Sequence, residues 1–160
     1  MIKLKRSYTN CFAVVMLIFL ARCQPATDEL SYNAQNDRAV VQAILSVLDD
    51  NDVSLEKKLE IWVDDLVHMA PGYPTNTDKD ALRRHLEEQQ TYGYADMTHE
   101  IIELDSYPDL VLMRGRVIGT FYPANQDAPV PFRTNNLFVF RRLEDNSLKI
   151  WKVIFNQSGE

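Results

Sequence analysis

His85 is the side chain in this sequence whose position best suits proton transfer. It lies between Leu82 and Leu86 in a stretch of helical periodicity, so its imidazole is predicted to lie on the apolar side of that helix. Burial shifts the pKa of an imidazole, and histidine is the residue that changes charge nearest to neutral pH. His85 is therefore the candidate acid/base residue. The alternative is a structural core histidine, hydrogen-bonded to a backbone carbonyl or towards Trp62.

Other polar and aromatic side chains could complete a ligand site around His85. His68 lies on a predicted short strand, where alternation allows placement on the surface or in a pocket. Arg114 and Arg116 share one strand face and could bind an anion, or could pair with acidic groups on the surface or on a dimer partner. The candidate ligand-binding residues are Trp62, His68, Tyr73, Arg114, Asn136, Phe138 and Asn156.

Neither a metal site nor a bound cofactor is predicted. The three histidines are scattered, and no pattern of nearby His, Asp and Glu ligands accompanies them. His99 alternates with Ile102 and is expected to face solvent or a partner subunit. Asp64 and Asp65 are adjacent, so their side chains point in different directions, and we interpret the pair as a helix end and a solvated turn. No glycine-rich phosphate loop and no nucleophile elbow occurs.

The first 23 residues have the organisation of an export signal. Lys3, Lys5 and Arg6 precede an apolar run from Cys11 to Ala21, which is shorter than the roughly 20 residues of a membrane-spanning helix. Leu20 to Cys23 is similar to the lipobox of bacterial lipoproteins, which predicts lipidation of Cys23 and an envelope or periplasmic location. Ordinary cleavage before Gln24, giving a secreted protein, is the alternative. Residues 24–36 then form a polar tether.

The charge of the mature chain argues against a nucleic-acid partner. Removing the four basic residues of the signal leaves 13 basic residues against 23 acidic ones, a net charge of −10. Such a chain is repelled by a phosphate backbone unless its basic groups cluster, and no cluster is visible. A membrane is expected as a partner only through a lipid on Cys23. With Cys11 removed, no intrachain disulfide is possible, so stability must come from a core.

Periodicity divides the rest of the chain into helices followed by strands. Helices are predicted at Asp37–Asp50, from a Ser54 cap to Asp64-Asp65, and from a Thr77 cap through Leu86. A short strand at Leu66–Ala70 ends at the Pro-rich turn of residues 71–74. Four consecutive strands with short connections predict antiparallel pairing, and Gly115 and Gly119 suggest bulges or bends in the longest of them. The strands are Met97–Leu104, Leu110–Tyr122, Val130–Leu143 and Leu148–Asn156. The fold class is α+β, with three N-terminal helices packed on a curved antiparallel sheet.

Several segments together resemble the SnoaL-like branch of the nuclear transport factor two-like superfamily. They are W-V-D-D-L-V at Trp62–Val67, D-K-D-A-L-R-R-H at Asp78–His85, and the meander ending in F-V-F-R-R-L-E-D-N-S-L-K-I-W. The resemblance covers Asp37 to Asn156, which places the domain at residues 37–157. It implies a cone-shaped domain enclosing a pocket and a homodimer formed through the outer sheet face. Relatives usually have Gly at the position of Asp78, so Thr77 is expected to take over the capping.

This chain lacks the catalytic side chains of two kinds of enzyme known in this superfamily. Where the resemblance places the base, the Tyr and the acidic partner of a ketosteroid isomerase, this chain has Ala70, Ile44 and Phe138. The Arg-x-Asp of the epoxide hydrolases is replaced by Arg114-Gly115-Arg116.

The similarity is greatest to proteins of the phenazine-biosynthesis A/B type. Their histidine corresponds to His85, but Val153 stands near the position of their acidic residue.

These observations favour binding of a small, mainly apolar or aromatic molecule inside the cone, with catalysis not required. The enzyme alternative is a lyase, isomerase or cyclase that acts on an aromatic or polyketide-like carbonyl compound, with His85 as acid/base. The third alternative is a dimeric interaction module whose cone is filled by side chains. A second titratable group within reach of His85 would favour the enzyme.

Overall fold

The computed structural model describes residues 34–125 and 128–158 of the 160-residue chain. The predicted export signal, Cys23 and most of the predicted tether lie outside the described residues. Residues Tyr32–Glu160 group as one compact unit. Within the described part of the chain, no helix has the length and apolar character needed to span a membrane.

Three helices and five strands make up the described domain, which confirms the α+β class. The helices are α1 (Ala34–Asp49), α2 (Leu55–Glu60) and α3 (Lys79–Tyr92). The strands are β1 (Trp62–Met69), β2 (Gly93–Ser106), β3 (Leu110–Pro123), β4 (Val130–Arg142) and β5 (Leu148–Gln157). Because β2 to β5 are joined by short turns, they pair antiparallel with their neighbours in the chain, as predicted.

The prediction of a wholly antiparallel sheet is wrong at one edge. The strand order is β1-β5-β4-β3-β2, and β1 pairs parallel with β5, with His68 opposite Val153 and Met69 opposite Ile154. A parallel pair requires a long crossover, and the chain from α3 to β4 supplies it. This pairing places His68 of β1 beside the last strand of the chain.

Trp62 and Val63, predicted at the end of the second helix, belong to β1. The helix ends at Glu60, and the Ile61 carbonyl accepts a hydrogen bond from the Ile150 amide of β5. Pairing with the sheet therefore overrides the helical spacing of these apolar residues. Asp64 and Asp65 are exposed strand residues and not a helix end, and they form ion pairs with Lys79 and Arg141.

Asp78, and not Thr77, caps α3. Its carboxylate accepts a hydrogen bond of 2.7 Å from the Ala81 amide. Aspartate is among the best N-cap residues, and its charge also complements the positive end of the helix dipole. The departure from the glycine usual in the relatives is therefore compatible with a well-formed helix start.

Gly115 and Gly119 of β3 lie close to the backbone of β2. A Cβ atom at Gly115 would be 2.6 Å from the Glu100 carbonyl oxygen, and one at Gly119 would be 2.5 Å from that of Asp96. The predicted irregularity is on the neighbouring strand: the register of β2 shifts between Ile101 and Glu103, opposite Gly115. Glycine thus permits the close strand approach next to a bulge.

The core lies between the helices and one face of the curved sheet. α1 packs on β2, and α3 packs on β1 and β2. Leu45 of α1, Leu82 of α3 and Leu66 of β1 are fully buried, as are Met113 and Phe140 on the sheet. We call this helix-covered side the inner face. Alternation then assigns the other residues of each strand to the outer face.

Candidate functional site

Apart from Asp37, which pairs with Arg142, the buried polar residues in the described part of the chain form two groups. The first contains His68 and Asn76, together with His85, which lies on α3. The second contains His99, Thr134 and Asn136 on β2 and β4. Polar groups are costly to bury without a partner, so each group requires a structural or functional explanation.

Asn76 holds His68 by three hydrogen bonds. The His68 amide donates to the Asn76 carbonyl at 2.8 Å, and the Asn76 amide donates to the His68 carbonyl at 3.0 Å. The side-chain nitrogen Nδ2 of Asn76 lies 3.1 Å from Nδ1 of His68. The turn after β1 therefore folds back to position this imidazole.

His85 contacts both His68 and Tyr73. Its ring centroid is 5.2 Å from that of His68 and 4.7 Å from that of Tyr73, which meets it edge-on. The His85 residue is only 9% exposed. Among the described residues neither ring nitrogen of His85 has a hydrogen-bond partner, so the predicted structural bond to a carbonyl or towards Trp62 is not formed. The imidazole can therefore bond to a ligand.

Burial keeps both imidazoles neutral. It lowers the pKa of His68 to about 4, and the nearby His85 adds a smaller repulsion in the same direction. Burial also lowers the pKa of His85, partly offset by the attraction of Glu88. At pH 7 this group presents uncharged donors and acceptors, which suits an uncharged ligand.

Aromatic rings surround the two imidazoles. The Trp62 ring meets that of His68 edge-on at 5.9 Å, and the Phe155 ring lies 5.8 Å from it. Trp62 is 4% exposed, and its Nε1 has no hydrogen-bond partner within the described part of the chain. Such a surface of apolar rings and a few polar atoms is typical of small-molecule sites.

The second polar group begins beside Phe155 of β5, because Phe155 is the register partner of Asn136 on β4. Thr134 donates a hydrogen bond of 2.6 Å to the side-chain oxygen of Asn136. Phe138 is buried further along the same strand, and its ring meets that of His99 edge-on at 5.7 Å. Asn136 and Phe138 therefore both lie on the inner face.

The prediction that His99 faces solvent or a partner subunit is wrong. The residue is 7% exposed, and its Nδ1 hydrogen-bonds to Oδ1 of Asp49 at the end of α1. The other carboxylate oxygen of Asp49 accepts a bond of 3.0 Å from the His99 amide. Asp49 lies fifty residues away in the chain, and it was not predicted as a site residue. The one available signal was an acid following an apolar helical stripe, and it is indistinguishable from an ordinary helix end.

Two predicted ligand-binding residues lie on the outer face and outside both groups. Arg114 is exposed and forms a bidentate ion pair with Glu103 of β2, at 2.8 and 2.7 Å. Arg116 pairs with Glu100 on the same side of the sheet. Asn156 is exposed opposite Asn135. The side chains around His85 are thus Trp62, His68 and Tyr73, with Asn136 and Phe138 further along the inner face.

In the described ranges, no cluster of three or more His, Cys, Asp or Glu side chains is arranged to hold a metal ion. His68 and His85 are neighbours, but no carboxylate joins them, and the carboxylate of Asp49 is bonded to His99. The chemistry that these groups offer is hydrogen bonding and proton transfer.

Neither protein-family models nor curated proteins show a match to this chain. Solved structures do. A ketosteroid isomerase-like protein from Erwinia carotovora atroseptica has a TM-score of 0.70 at 23% identity, covering 81% of this chain and 99% of its own. A candidate scytalone dehydratase from Novosphingobium aromaticivorans has a TM-score of 0.65 at 15% identity, covering 78% of this chain and 83% of its own.

A third similar structure is a candidate dehydratase of the NTF2-like family from Streptomyces avermitilis. It has a TM-score of 0.64 at 14% identity, covering 79% of this chain and 97% of its own. These likenesses extend over nearly the whole described domain. The resemblance read from the sequence is therefore confirmed for the fold: the chain has the cone-shaped α+β fold of the nuclear transport factor two-like proteins.

Proposed function

We propose that this domain binds a small, mainly apolar aromatic molecule on the inner face of its sheet. The observation that carries the proposal is the pair of neutral imidazoles, His68 and His85, packed among the rings of Trp62, Tyr73 and Phe155. Aromatic rings supply apolar contact area, and the imidazoles supply hydrogen bonds without the desolvation cost of a charge.

The distribution of ion pairs supports an uncharged ligand. The arginines of β3 pair with Glu100 and Glu103 on the outer face, and Arg142 is bonded to Asp37. None of these cations is directed at the His85 group. A carboxylate or phosphate ligand would have to lose its hydration without gaining a compensating positive charge.

His85→Ala is expected to weaken ligand binding by about tenfold, because truncating a central, desolvated contact costs more than 1 kcal/mol. Native mass spectrometry of the full chain purified from its source identifies a co-purified molecule, and titration calorimetry then measures its affinity. Arg84→Ala, an exposed change on the same helix, is the control. A loss of stability with unchanged affinity would show that His85 is structural only.

A second candidate function, proton transfer, is favoured by the pairing of Asp49 with His99. Because the carboxylate accepts from Nδ1–H, the neutral imidazole keeps its lone pair on Nε2 and can act as a base. His85, with its lowered pKa, is the other candidate base. The similar structures are described as isomerase-like or dehydratase-like, reactions that begin with proton removal beside a carbonyl or hydroxyl group.

Exchange of the α-hydrogens of 2-tetralone in D2O tests this candidate. The full chain is expected to accelerate the exchange over buffer, and His99→Gln and Asp49→Asn are each expected to slow it by about 100-fold or more. His85→Gln in parallel distinguishes the two bases. Exchange no faster than in buffer would contradict an enzymatic role with this carbonyl compound and leave ligand binding as the function.

We also propose a homodimer formed through the outer sheet face. Leu137 and Ile154 are register partners there, and they are 41% and 45% exposed. Adjacent exposed apolar side chains on a sheet favour association. Light scattering of the full chain checks the proposal, and a monomer at micromolar concentration would contradict it.

Export is the last part of the proposed function, with a lipid on Cys23 or cleavage before Gln24. It is supported by the basic start and the apolar run that precede Cys23. The intact mass of the native protein separates the two routes, because a lipidated chain begins at Cys23 and carries acyl groups. A native chain that retains Met1 would contradict both.

A further inference from the structure

The bond between Asn76 and His68 determines which imidazole nitrogen carries the proton. The side-chain nitrogen of asparagine can only donate, so Nδ1 of His68 must accept. A neutral imidazole that accepts at Nδ1 carries its hydrogen on Nε2. Among the described residues Nε2 of His68 has no hydrogen-bond partner, so this N–H is available to a ligand.

Asn76 is well placed to impose that tautomer. It is 8% exposed, and two backbone hydrogen bonds tie it to His68 in addition to the side-chain bond. A mobile surface asparagine could rotate away from the imidazole. The backbone N–H and the backbone carbonyl of Asn76 are both bonded to His68, so its side chain stays beside the imidazole. The tautomer is thus built into the turn that follows β1.

Trp62 supplies a second N–H donor of the same kind. Its ring contacts that of His68 edge-on, and its buried Nε1 lacks an acceptor within the described part of the chain. A buried donor left without an acceptor destabilises the fold, because it has lost its hydrogen bond to water. A ligand oxygen beside these rings would recover that loss.

We propose that Trp62 and His68 form a pair of neutral N–H donors for a carbonyl oxygen of the ligand, and that Asn76 is a positioning residue that keeps His68 in the donating tautomer. The proposal rests on the proposed ligand-binding function and specifies the chemical class of the ligand: an aromatic ketone or aldehyde. A purely hydrocarbon ligand would leave both donors unsatisfied. Within the described ranges no cation is seen against these rings, so an anionic ligand would not be neutralised there.

The tautomer is measured in the ligand-free full chain by long-range proton–nitrogen NMR of ¹⁵N-labelled histidines at pH 7. We expect Nε2 of His68 to be protonated and Nδ1 to be unprotonated. Asn76→Ala should give the averaged signal of two exchanging tautomers. A proton on Nδ1 in the unsubstituted chain, or a doubly protonated ring, would overturn the assignment.

The donor pair is tested with benzophenone and diphenylmethane, which differ in the carbonyl oxygen. The full chain is expected to bind benzophenone about tenfold more tightly, and Trp62→Phe should remove much of that preference, because one of the two donors is lost. Taking the ratio of the two affinities cancels general effects of the substitution on packing. Trp151→Phe changes the other tryptophan, whose ring lies against Arg141 and Lys152, and should leave the ratio unchanged.

The outcomes separate this proposal from the function on which it rests. Equal binding of the two compounds would overturn the donor pair and leave the ligand site in place. An unchanged preference in Trp62→Phe would remove Trp62 from the pair. Binding of neither compound would contradict the proposed aromatic ligand, and the NMR measurement would still decide the tautomer of His68.

Discussion

Replacing Arg142 with alanine is expected to destabilise the domain by about 3–5 kcal/mol, because it leaves a buried carboxylate without its counter-charge. Arg142 at the end of β4 binds Asp37 of α1 through two hydrogen bonds of 3.1 and 2.8 Å. The two side chains are only 7% and 4% exposed. A typical domain has a total stability of about 5–15 kcal/mol, so this loss is a large fraction of it.

Urea unfolding of the full chain measures the effect. Arg114→Ala is the matched control, because it also removes an arginine from a bidentate pair but from an exposed one, and it should change the free energy of unfolding far less. The double change Asp37→Leu with Arg142→Met removes both charges and should recover much of the loss. If Arg142→Ala were no more destabilising than Arg114→Ala, the buried pair would not stabilise the fold.

Acidification from pH 6.5 to pH 4 is expected to remove on the order of 3 kcal/mol of stability through His68 alone. Its pKa is about 4 in the folded protein against an ordinary value of 6.5. The unfolded chain therefore binds the proton first as the pH falls, and stability declines across this window. Well above pH 6.5 the imidazole is neutral in both states, so His68 no longer affects stability. The lowered pKa of His85 acts in the same direction.

Chemical denaturation at several pH values checks the prediction, with His68→Gln as the comparison variant. That substitution should flatten the decline between pH 6.5 and pH 4, since glutamine does not titrate. The other groups that titrate in this range are present in both proteins, so their effects cancel in the difference. Parallel pH profiles for the two proteins would mean that His68 is protonated as easily in the fold as in water.

Local patterns predicted the antiparallel part of the sheet well. β3 and β4 are rich in β-branched and aromatic residues and are separated by turn residues, which is the signature of a meander. Trp62 was wrongly predicted to be helical, because a short apolar run beside a helix has no period that identifies it as a strand. Its pairing with β5, almost ninety positions later, decided the matter.

Only part of the candidate site could be predicted from neighbours along the chain. His85 could be placed on a buried helix face, because the side chains that bury it recur every three or four residues along its own helix. The partners of His68 and His99 could not be identified. Asn76 lies in an irregular turn, and Asp49 reaches His99 only when α1 packs on β2. Alternation likewise could not show which side of the strand Arg114 would occupy.

By itself, the sequence determined the α+β class, the meander, the burial of His85 and the acidic balance of the chain, because each follows from composition or from neighbours along the chain. Only the tertiary structure decided the parallel pairing of β1, the His68–Asn76 and His99–Asp49 pairs, and the buried bond between Asp37 and Arg142. These contacts join residues on separate elements, and their energies depend on burial, which exists only once the elements have packed together.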